Sequence, residues 1–382
     1  MGDARRPRDD RLRLARLARG YSQDALARAA TVTRQAISGI ESGRWQPSLD
    51  VAFALARALD TTVDDLFGQP DETPLVDVRL ALTPHRAAPV GRRVLLAEVL
   101  GDTVAFPLAE DGAFQPGFAP ALGVLEAPDA SPRGGASGRA GRRRPAVGAK
   151  VRPLAEPGST LVVAGCDPAL ALLQGPLGRH RHPTQLVWRP CGNDAALAML
   201  ESGSVHVAAV HRAAGVPLRP RTGTEVVGFA AWREGLATSP RAASGVKDVG
   251  DAAALGLRVA NREAGSEARR LLDEHLVRAC INPSDLVGYE TACTAHLLVA
   301  SAIAAGLADV GVTTEPAALA FELGFVPWQD EVSELHIPRA AMESLAVRAL
   351  LDVLGGRELA SQLGLLEGYD TEPCGRIMSH GS

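Results

Sequence analysis

The chain is poor in aromatic residues and almost without lysine. Only 4% of its 382 residues are Phe, Trp or Tyr, and its lysines are Lys150 and Lys247, so arginine supplies nearly all the positive charge. Arginine abundance therefore carries no functional weight by itself. Cys166, Cys191, Cys280, Cys293 and Cys374 are odd in number and form no CxxC pair, which argues against a disulfide framework and a structural zinc site. Lys150 is followed by Val151 and Lys247 by Asp248, so neither belongs to a phosphate-binding Gly-Lys-Ser/Thr loop. A GxSxG elbow, an HExxH pair and a GxGxxG turn after a strand are all missing. The expectation is a protein that is no enzyme, has no catalytic residues, and holds no metal or resident cofactor. No run approaches the ~18 apolar residues needed to cross a bilayer, and MGDARRPRDD is charged where a secretory signal must be apolar. A cytoplasmic location without membrane contact is expected.

What is present suits a soluble protein of two or three domains: 46% hydrophobic residues, 22% charged residues and a net charge of −4. Residues 8–68 have helical patterning. Residues 75–126 look β-rich: Arg93 to Leu100 and Thr103 to Leu108 are apolar runs joined at Gly101-Asp102, a dipeptide suited to a tight hairpin. Residues 127–150 exchange large apolar side chains for Gly, Pro, Ser and Arg and read as a flexible basic linker or loop. From 151 to 375, β-like runs (TLVVAGC, QLVWRP, VHVAAVH, EVVGFAAW, LRVAN, DVGVTT) alternate with helical stretches, which predicts an α/β fold with mainly parallel strands. The fold class is thus multidomain, with an all-α head, a small β-rich connector and an α/β body.

Ser22 to Gly43, SQDALARAATVTRQAISGIESG, carries the most specific short signal. Ser22 is placed to cap a helix that has Asp24 in its first turn, and Thr33 to cap a second. Leu26, Val32, Ile37 and Ile40 fall on the inward face. Arg34, Gln35 and Ser38 face outward near the second helix's start, as the recognition helix of a helix-turn-helix requires. Residues 1–60 hold eleven arginines against seven acids, an excess of four positive charges on a chain that is negative overall. That balance suits phosphate contact, whereas solvated arginine faces on a protein-interaction domain are the alternative.

From Leu12 to Phe67, through GYSQDALA, VTRQAIS, IESGRWQPS, VAFALARALD and TTVDDLF, the segment resembles the Cro/repressor-like (xenobiotic-response-element) helix-turn-helix family. The resemblance implies that Gln23 and Arg44 hold phosphates and that Thr33, Arg34, Gln35 and Ser38 sit at a double-stranded DNA operator. Thr31 stands where that family's turn usually has glycine. A homodimer on a palindromic or repeated site is the expected assembly.

In the body, four small polar turns each follow a strand end and open a helix: Cys166-Asp167-Pro168, Gly192-Asn193-Asp194, Ala264-Gly265-Ser266-Glu267 and Thr294-Ala295-His296. Converging helix starts bind a small oxyanion without lysine, and Arg262 and Arg269 beside the third turn can add bidentate contacts. Asp167, Asn193 and Asp194 also read as plain helix caps. Asp167, Asp194 and Glu267 would repel an anion at close range, which leaves room for a larger ligand bearing amine or hydroxyl groups. His211, at a strand end, and His296, one turn into an apolar helix, read first as satisfied core histidines.

Gly158 to Asp370 resembles the type II periplasmic-binding-protein fold and, within it, the regulator-fused relatives of molybdate-binding proteins. The stretches that carry this are VVAGCDPALALL, CGNDAALAMLESGSVHVAAVH, GLRVANREAGSEARRLLDEHL and TAHLLVASAIAAGLADVGV. The resemblance implies two lobes, with chain crossings near Glu225 to Thr238 and Phe321 to Pro338, and a ligand between them. It places Cys166 where relatives often have Ser, brings Thr313 to the cleft, and implies molybdate, tungstate or a related oxyanion as a small-molecule effector. The function expected is a one-component DNA-binding regulator. Its alternatives are a body that senses an organic metabolite or serves only as a dimerisation scaffold, or an enzyme on the same two-lobed fold, as in tetrapyrrole biosynthesis.

Overall fold

A computed structural model describes residues 11–67, 74–81, 91–108, 120–128, 148–155, 158–218 and 221–378. The chain divides into two compact units at Pro74/Leu75. Among the described residues no helix is long and apolar enough to cross a membrane.

The smaller unit is a bundle of α1 (Arg11–Ala18), α2 (Gln23–Ala29), α3 (Arg34–Glu41), α4 (Leu49–Leu59) and α5 (Val63–Phe67). Three of its helix starts are capped as hydroxyl side chains dictate: Ser22 Oγ accepts from the Ala25 amide, Thr33 Oγ1 from Ala36 and Ser48 Oγ from Val51. Leu12, Leu26, Ile37, Leu55 and Leu59 form the core, with Val32 and Ile40 half-buried against it.

In the larger unit, five short strands close into a barrel of order β1-β3-β2-β4-β5: β1 (Val76–Leu80), β2 (Arg93–Val99), β3 (Asp102–Pro107), β4 (Gly123–Pro128) and β5 (Gly148–Pro153). The β2–β3 hairpin turns on Leu100 and Gly101, both at positive φ (53° and 85°), one residue before the dipeptide expected from the sequence. The strand that closes the barrel lies beyond residue 126: β5 takes residues from the end of the 127–150 segment and from the start of the 151–375 body, and it pairs antiparallel with both β1 and β4. The flexibility expected of 127–150 falls mainly on residues 129–147, outside the described ones. The barrel is packed on the body. Arg79 on β1 donates to the Ser202 carbonyl and Ser204 Oγ, and the buried His206 ring accepts from the Val162 amide through Nδ1 and lies 3.0 Å from the Glu98 carbonyl through Nε2.

The body is built on an eight-stranded sheet of order β11-β10-β12-β9-β13-β8-β6-β7. One lobe holds β6 (Thr160–Ala164), a 3-10 turn (Pro168–Leu173), α6 (Gln174–Arg179), β7 (Gln185–Arg189), α7 (Asn193–Glu201) and β8 (Val207–Ala213). The other holds α8 (Val249–Ala254), β10 (Val259–Arg262), α9 (Glu267–Arg278), β11 (Ala292–Cys293), α10 (His296–Ala304), β12 (Val310–Thr314) and α11 (Glu315–Ala320). Two fifteen-residue strands, β9 (Thr224–Thr238) and β13 (Gly324–Pro338), run through both lobes as the resemblance to the two-lobed fold implies. α12 (Leu345–Leu354) and α13 (Arg357–Gly364) then return to the first lobe.

The expectation of mainly parallel strands holds only inside each lobe. β6 is parallel to β7 and β8, and β10 to β11 and β12, but β9 and β13 run antiparallel to each other and to β12 and β8. The cause is topological: a chain that crosses from one lobe to the other and returns lays its two crossings down in opposite directions.

Candidate functional site

The smaller unit presents one surface of interest. Arg34 and Gln35 are exposed at the start of α3, and Ser38 is half-buried one turn on. Thr33 is the N-cap, so its hydroxyl serves the helix. Arg34 forms an exposed ion pair with Asp24 at 3.6 Å, a contact weak enough to be exchanged for another partner. Arg44 is exposed and donates to Ser42 Oγ at 2.9 Å. Gln23 differs: its Nε2 donates to Glu41 Oε2 at 2.7 Å, and Glu41 also takes Arg16 Nε at 2.6 Å. The side chain expected at a phosphate is thus also a structural tie between α2 and α3. Burial works to raise the Glu41 carboxyl, but the hydrogen bonds from Arg16 and Gln23 hold it below its ordinary value.

The turn between α2 and α3 contains Thr31 at φ 57°, left-handed backbone that β-branched side chains resist. Thr31→Gly is expected to raise the stability of this unit by about 0.5 to 1 kcal/mol, because the relief of strain outweighs glycine's greater unfolded-state entropy. Chemical denaturation of the full chain, followed through the unfolding of the helical unit, measures this. A destabilised variant would show that the turn is not left-handed.

In the body, the turns expected at a cleft meet across the two lobes. A Cβ added to Gly192 would stand 3.1 Å from Ser266 Cα, and one on Gly265, whose φ is +87°, 3.2 Å from Asp194 Oδ2. Asn193 Nδ2 reaches Glu267 Oε1 at 3.4 Å, while its amide group is fixed by both backbone groups of His211. The exposed Asp194 opens α7 beside this junction. These contacts describe lobes shut against each other.

Several of the predicted residues serve the local structure. Asp167 caps the 3-10 turn through the Ala169 amide and accepts from Tyr369 Oη at 2.7 Å; burial pushes its carboxyl up to about 6. Ser266 caps α9, accepting from the Arg269 amide and donating to the Glu263 carbonyl. Arg269 stacks over the Tyr289 ring at 3.9 Å, donates to the Arg262 carbonyl and pairs with Asp273, so it braces its own lobe. Thr294, at the turn into α10, is half-buried. Thr313 donates to the His296 carbonyl at 3.1 Å.

Arg262, Cys166 and His296 belong to a different setting, a buried polar chamber at the lobe junction. Cys166 lies at the end of β6 and His211 on β8, both from the first lobe. His296, the first residue of α10 and not one turn inside it, comes from the second. Cys166 Sγ and one ring nitrogen of each histidine lie within 4.8 Å of one another. Glu234 from β9 and Glu331 from β13 complete the wall: His211 Nδ1 is 2.9 Å from Glu331 Oε2 and 3.9 Å from Glu234 Oε2, and His296 Nδ1 is 3.9 Å from Glu234 Oε1. All of these side chains are buried.

The chamber is under-satisfied. Both Glu234 oxygens, His296 Nε2 and Arg262 Nη1 have no hydrogen-bond partner, although Arg262 is otherwise fully used by a two-pronged pair with Glu263 and by the Cys293 carbonyl. A buried polar group without a partner costs about 1–3 kcal/mol, and a charged one more. Burial pushes Glu234 up to about 7 and lowers His296 well below the ordinary histidine range, with Arg262 and His211 adding to the latter effect. Burial acts against a charged His211, yet Cys166, Glu331 and Glu234 hold it well above its ordinary value.

Sequence reasoning did not single out Glu234 and Glu331. The available signal was an acid within the apolar run EVVGFAAWREGLAT, where alternation turns Arg233 outward and Glu234 inward.

The comparisons with known proteins fit this two-part description. The helix-turn-helix family profile matches residues 12–66, and that of the PBP superfamily domain residues 175–355. An uncharacterized HTH-type transcriptional regulator of Archaeoglobus fulgidus is 37% identical over 62 residues, 16% of this chain and 89% of that protein. The uncharacterized protein YvgK of Bacillus subtilis is 34% identical over 140 residues, 37% of this chain; the chain spans 44% of its length. The structure of a putative phosphate ABC transporter substrate-binding protein from Clostridium perfringens is 13% identical and covers 56% of this chain and 99% of its own, with a TM-score of 0.43. The chain belongs to the helix-turn-helix family through its N-terminal unit and carries a PBP superfamily domain in its body.

Proposed function

We propose that the protein is a DNA-binding transcription regulator, acting in the cytoplasm, whose body holds a small charged effector in the chamber between its lobes. The exposed Arg34 and Gln35 at the start of α3 read base edges in the major groove, and Arg44 supports them on phosphates. The effector shifts the balance between open and shut lobes and so alters how paired heads of a homodimer are presented to an operator. Such coupling needs an effector that binds the two states with different affinity, by ~1–3 kcal/mol.

The observation that carries this reading is the set of buried, unpartnered atoms on Glu234 of a crossing strand and on His296 and Arg262 of the second lobe, which lie beside Cys166 and His211 of the first. A ligand that pairs them and also reaches Cys166 or His211 joins the lobes. Arg262 Nη1 supports an oxyanion such as molybdate or tungstate. That version asks that Glu234 be protonated, a state its carboxyl, pushed up to about 7, reaches near neutral pH.

Thermal unfolding of the full chain with molybdate, tungstate, sulfate and phosphate tests the oxyanion version. A ligand at about 100 times its Kd adds about 2.7 kcal/mol of stability. Selective stabilisation by molybdate and tungstate, lost in Arg262→Met, is the expected result for an oxyanion sensor. Equal insensitivity of both proteins to all four anions would remove the oxyanion and leave the regulator with another effector class.

A further inference from the structure

The chamber's donor set points to a class of ligand other than an anion. We propose that Cys166, His211 and His296 hold a divalent transition-metal ion of the zinc class, which clamps the two lobes of the body together. The inference rests on the reading of the chamber as the effector site and names its occupant.

The first argument is the identity of the atoms. Thiolate and imidazole are the ligands that zinc-class ions select over magnesium or calcium. Here one thiol and two imidazole nitrogens face one another within 4.8 Å. A tetrahedral zinc site, with metal–ligand distances of 2.0–2.3 Å, places its donors about 3.5 Å apart, so the three must close by up to about 1.3 Å. Since Cys166 and His211 come from one lobe and His296 from the other, that closure is a movement of the lobes.

The second argument is how each ring is held. A metal-binding histidine turns its second nitrogen to a carboxylate, carbonyl or hydroxyl, which fixes the tautomer and raises ligand basicity. With His211 Nδ1 2.9 Å from Glu331 Oε2, a metal takes Nε2 and displaces the proton there. His296 Nδ1 lies 3.5 Å from Thr313 Oγ1 and 3.9 Å from Glu234 Oε1, and its Nε2 is fully buried without a partner. A core histidine placed only for packing has no need of an orphaned ring nitrogen beside a second histidine, whose ring centroid is 5.9 Å away.

Charge is the third argument. Glu263 already neutralises Arg262, and the basic groups nearest Glu234 and Glu331 are His211 and His296, of which burial keeps His296 neutral. Two buried carboxylates and a thiol in this setting stabilise a dication far better than they tolerate an anion. A surface cleft of about 330 Å³ adjoins the site, with Glu331 in its lining together with Trp232, Asp330 and Tyr369.

The test uses the full chain, stripped with a chelator and titrated with Co2+ and Zn2+, with Mg2+ as the hard-cation control. The expected result is one Co2+ per chain, with a near-ultraviolet thiolate-to-cobalt band and the visible absorption of a tetrahedral site, displaced by Zn2+ and untouched by Mg2+. Cys166→Ser removes the thiolate band, His296→Gln weakens binding at least tenfold, and Glu331→Gln, which acts through His211, weakens it about 10- to 100-fold while keeping the band. Circular dichroism on each variant separates misfolding from ligand loss, and the retained band of Glu331→Gln gives a readout that a merely structural role would not produce.

Absence of Co2+ binding to the wild-type chain overturns the proposal. So does binding of equal affinity in Cys166→Ser and His296→Gln, which would assign the ion to surface histidines such as His180 and His182. If metal binding fails while molybdate or tungstate stabilises the wild type and not Arg262→Met, the chamber remains the effector site and only the metal falls.

Discussion

Replacing Arg34 and Gln35 together by alanine is expected to lower affinity for a selected operator by about 30-fold to more than 10,000-fold. A bidentate arginine–guanine or glutamine–adenine contact contributes about 1–3 kcal/mol of discrimination, and the two side chains are adjacent at the start of α3, where base edges are reached. Both are exposed, and neither belongs to the core of Leu12, Leu26, Ile37 and Leu55, so folding is expected to stay intact. Arg44→Ala should behave differently. As a phosphate contact it carries no sequence information, so its loss weakens binding to operator and random DNA alike and lowers the salt slope by about one. Operator selection from a random duplex library with the wild-type chain, followed by fluorescence anisotropy at several salt concentrations, measures all three variants. Unchanged operator affinity in the double variant would show that α3 does not read the DNA.

The contrast between these helices and the chamber shows what a single sequence makes legible. Ser22 and Thr33 announce helix starts because capping is local chemistry, completed within three residues, and the structure places both hydroxyls on the amide three residues on. EVVGFAAW was legible as a strand because it is a continuous apolar run, but that it and β13 cross between the lobes came only from the resemblance to the two-lobed fold, since GFVPWQDEVSELHIP shows no such run. β5 was not legible, since GAKVRP is six residues with two cations and follows a stretch of almost no apolar side chains; only its partners β1 and β4, distant in sequence, make it a strand. Arg262 and Arg269 flank the same turn and looked equivalent. Their fates diverge because Arg262 ends a strand buried along its whole length, whereas Arg269 lies in the first turn of α9 within reach of Tyr289 and Asp273. Glu234 and Glu331 were invisible as a pair, because burying an acid is decided by what stands opposite it on another strand, and no periodicity records that.

A second large effect is expected where the helical unit buries its own charge. Arg16 and Glu41 are almost fully covered and joined by two contacts of 2.6 and 3.2 Å, Gln23 adds a third at 2.7 Å, and Arg16 Nη1 also donates to the Tyr21 carbonyl. The cluster ties together α1, the start of α2 and the end of α3. Removing one partner of a buried pair leaves the other uncompensated, at about 3–5 kcal/mol. Small domains have roughly 0.05–0.15 kcal/mol of stability per residue, so Glu41→Ala should remove most of what holds this unit folded. Glu41→Gln, which keeps a hydrogen-bond acceptor for Arg16, should cost less. The pH dependence follows from the same group: its folded-state pKa is lowered, so its stabilisation is complete above the unfolded value of 4.5 and is lost as pH falls through the folded value. Acid should therefore destabilise the helical unit of the wild type more than that of Glu41→Gln, whose amide does not titrate and in which Asp65, held low by Thr62 and Thr61, is the acid-sensitive group that remains. Circular dichroism melts of the full chain between pH 3 and 7 measure this, with limited proteolysis locating the unit that opens. A Glu41→Ala chain that melts like the wild type would mean that apolar packing alone sets the stability of the helical unit. In that case Gln23, freed from Glu41, would turn to the phosphate its place in the sequence suggests.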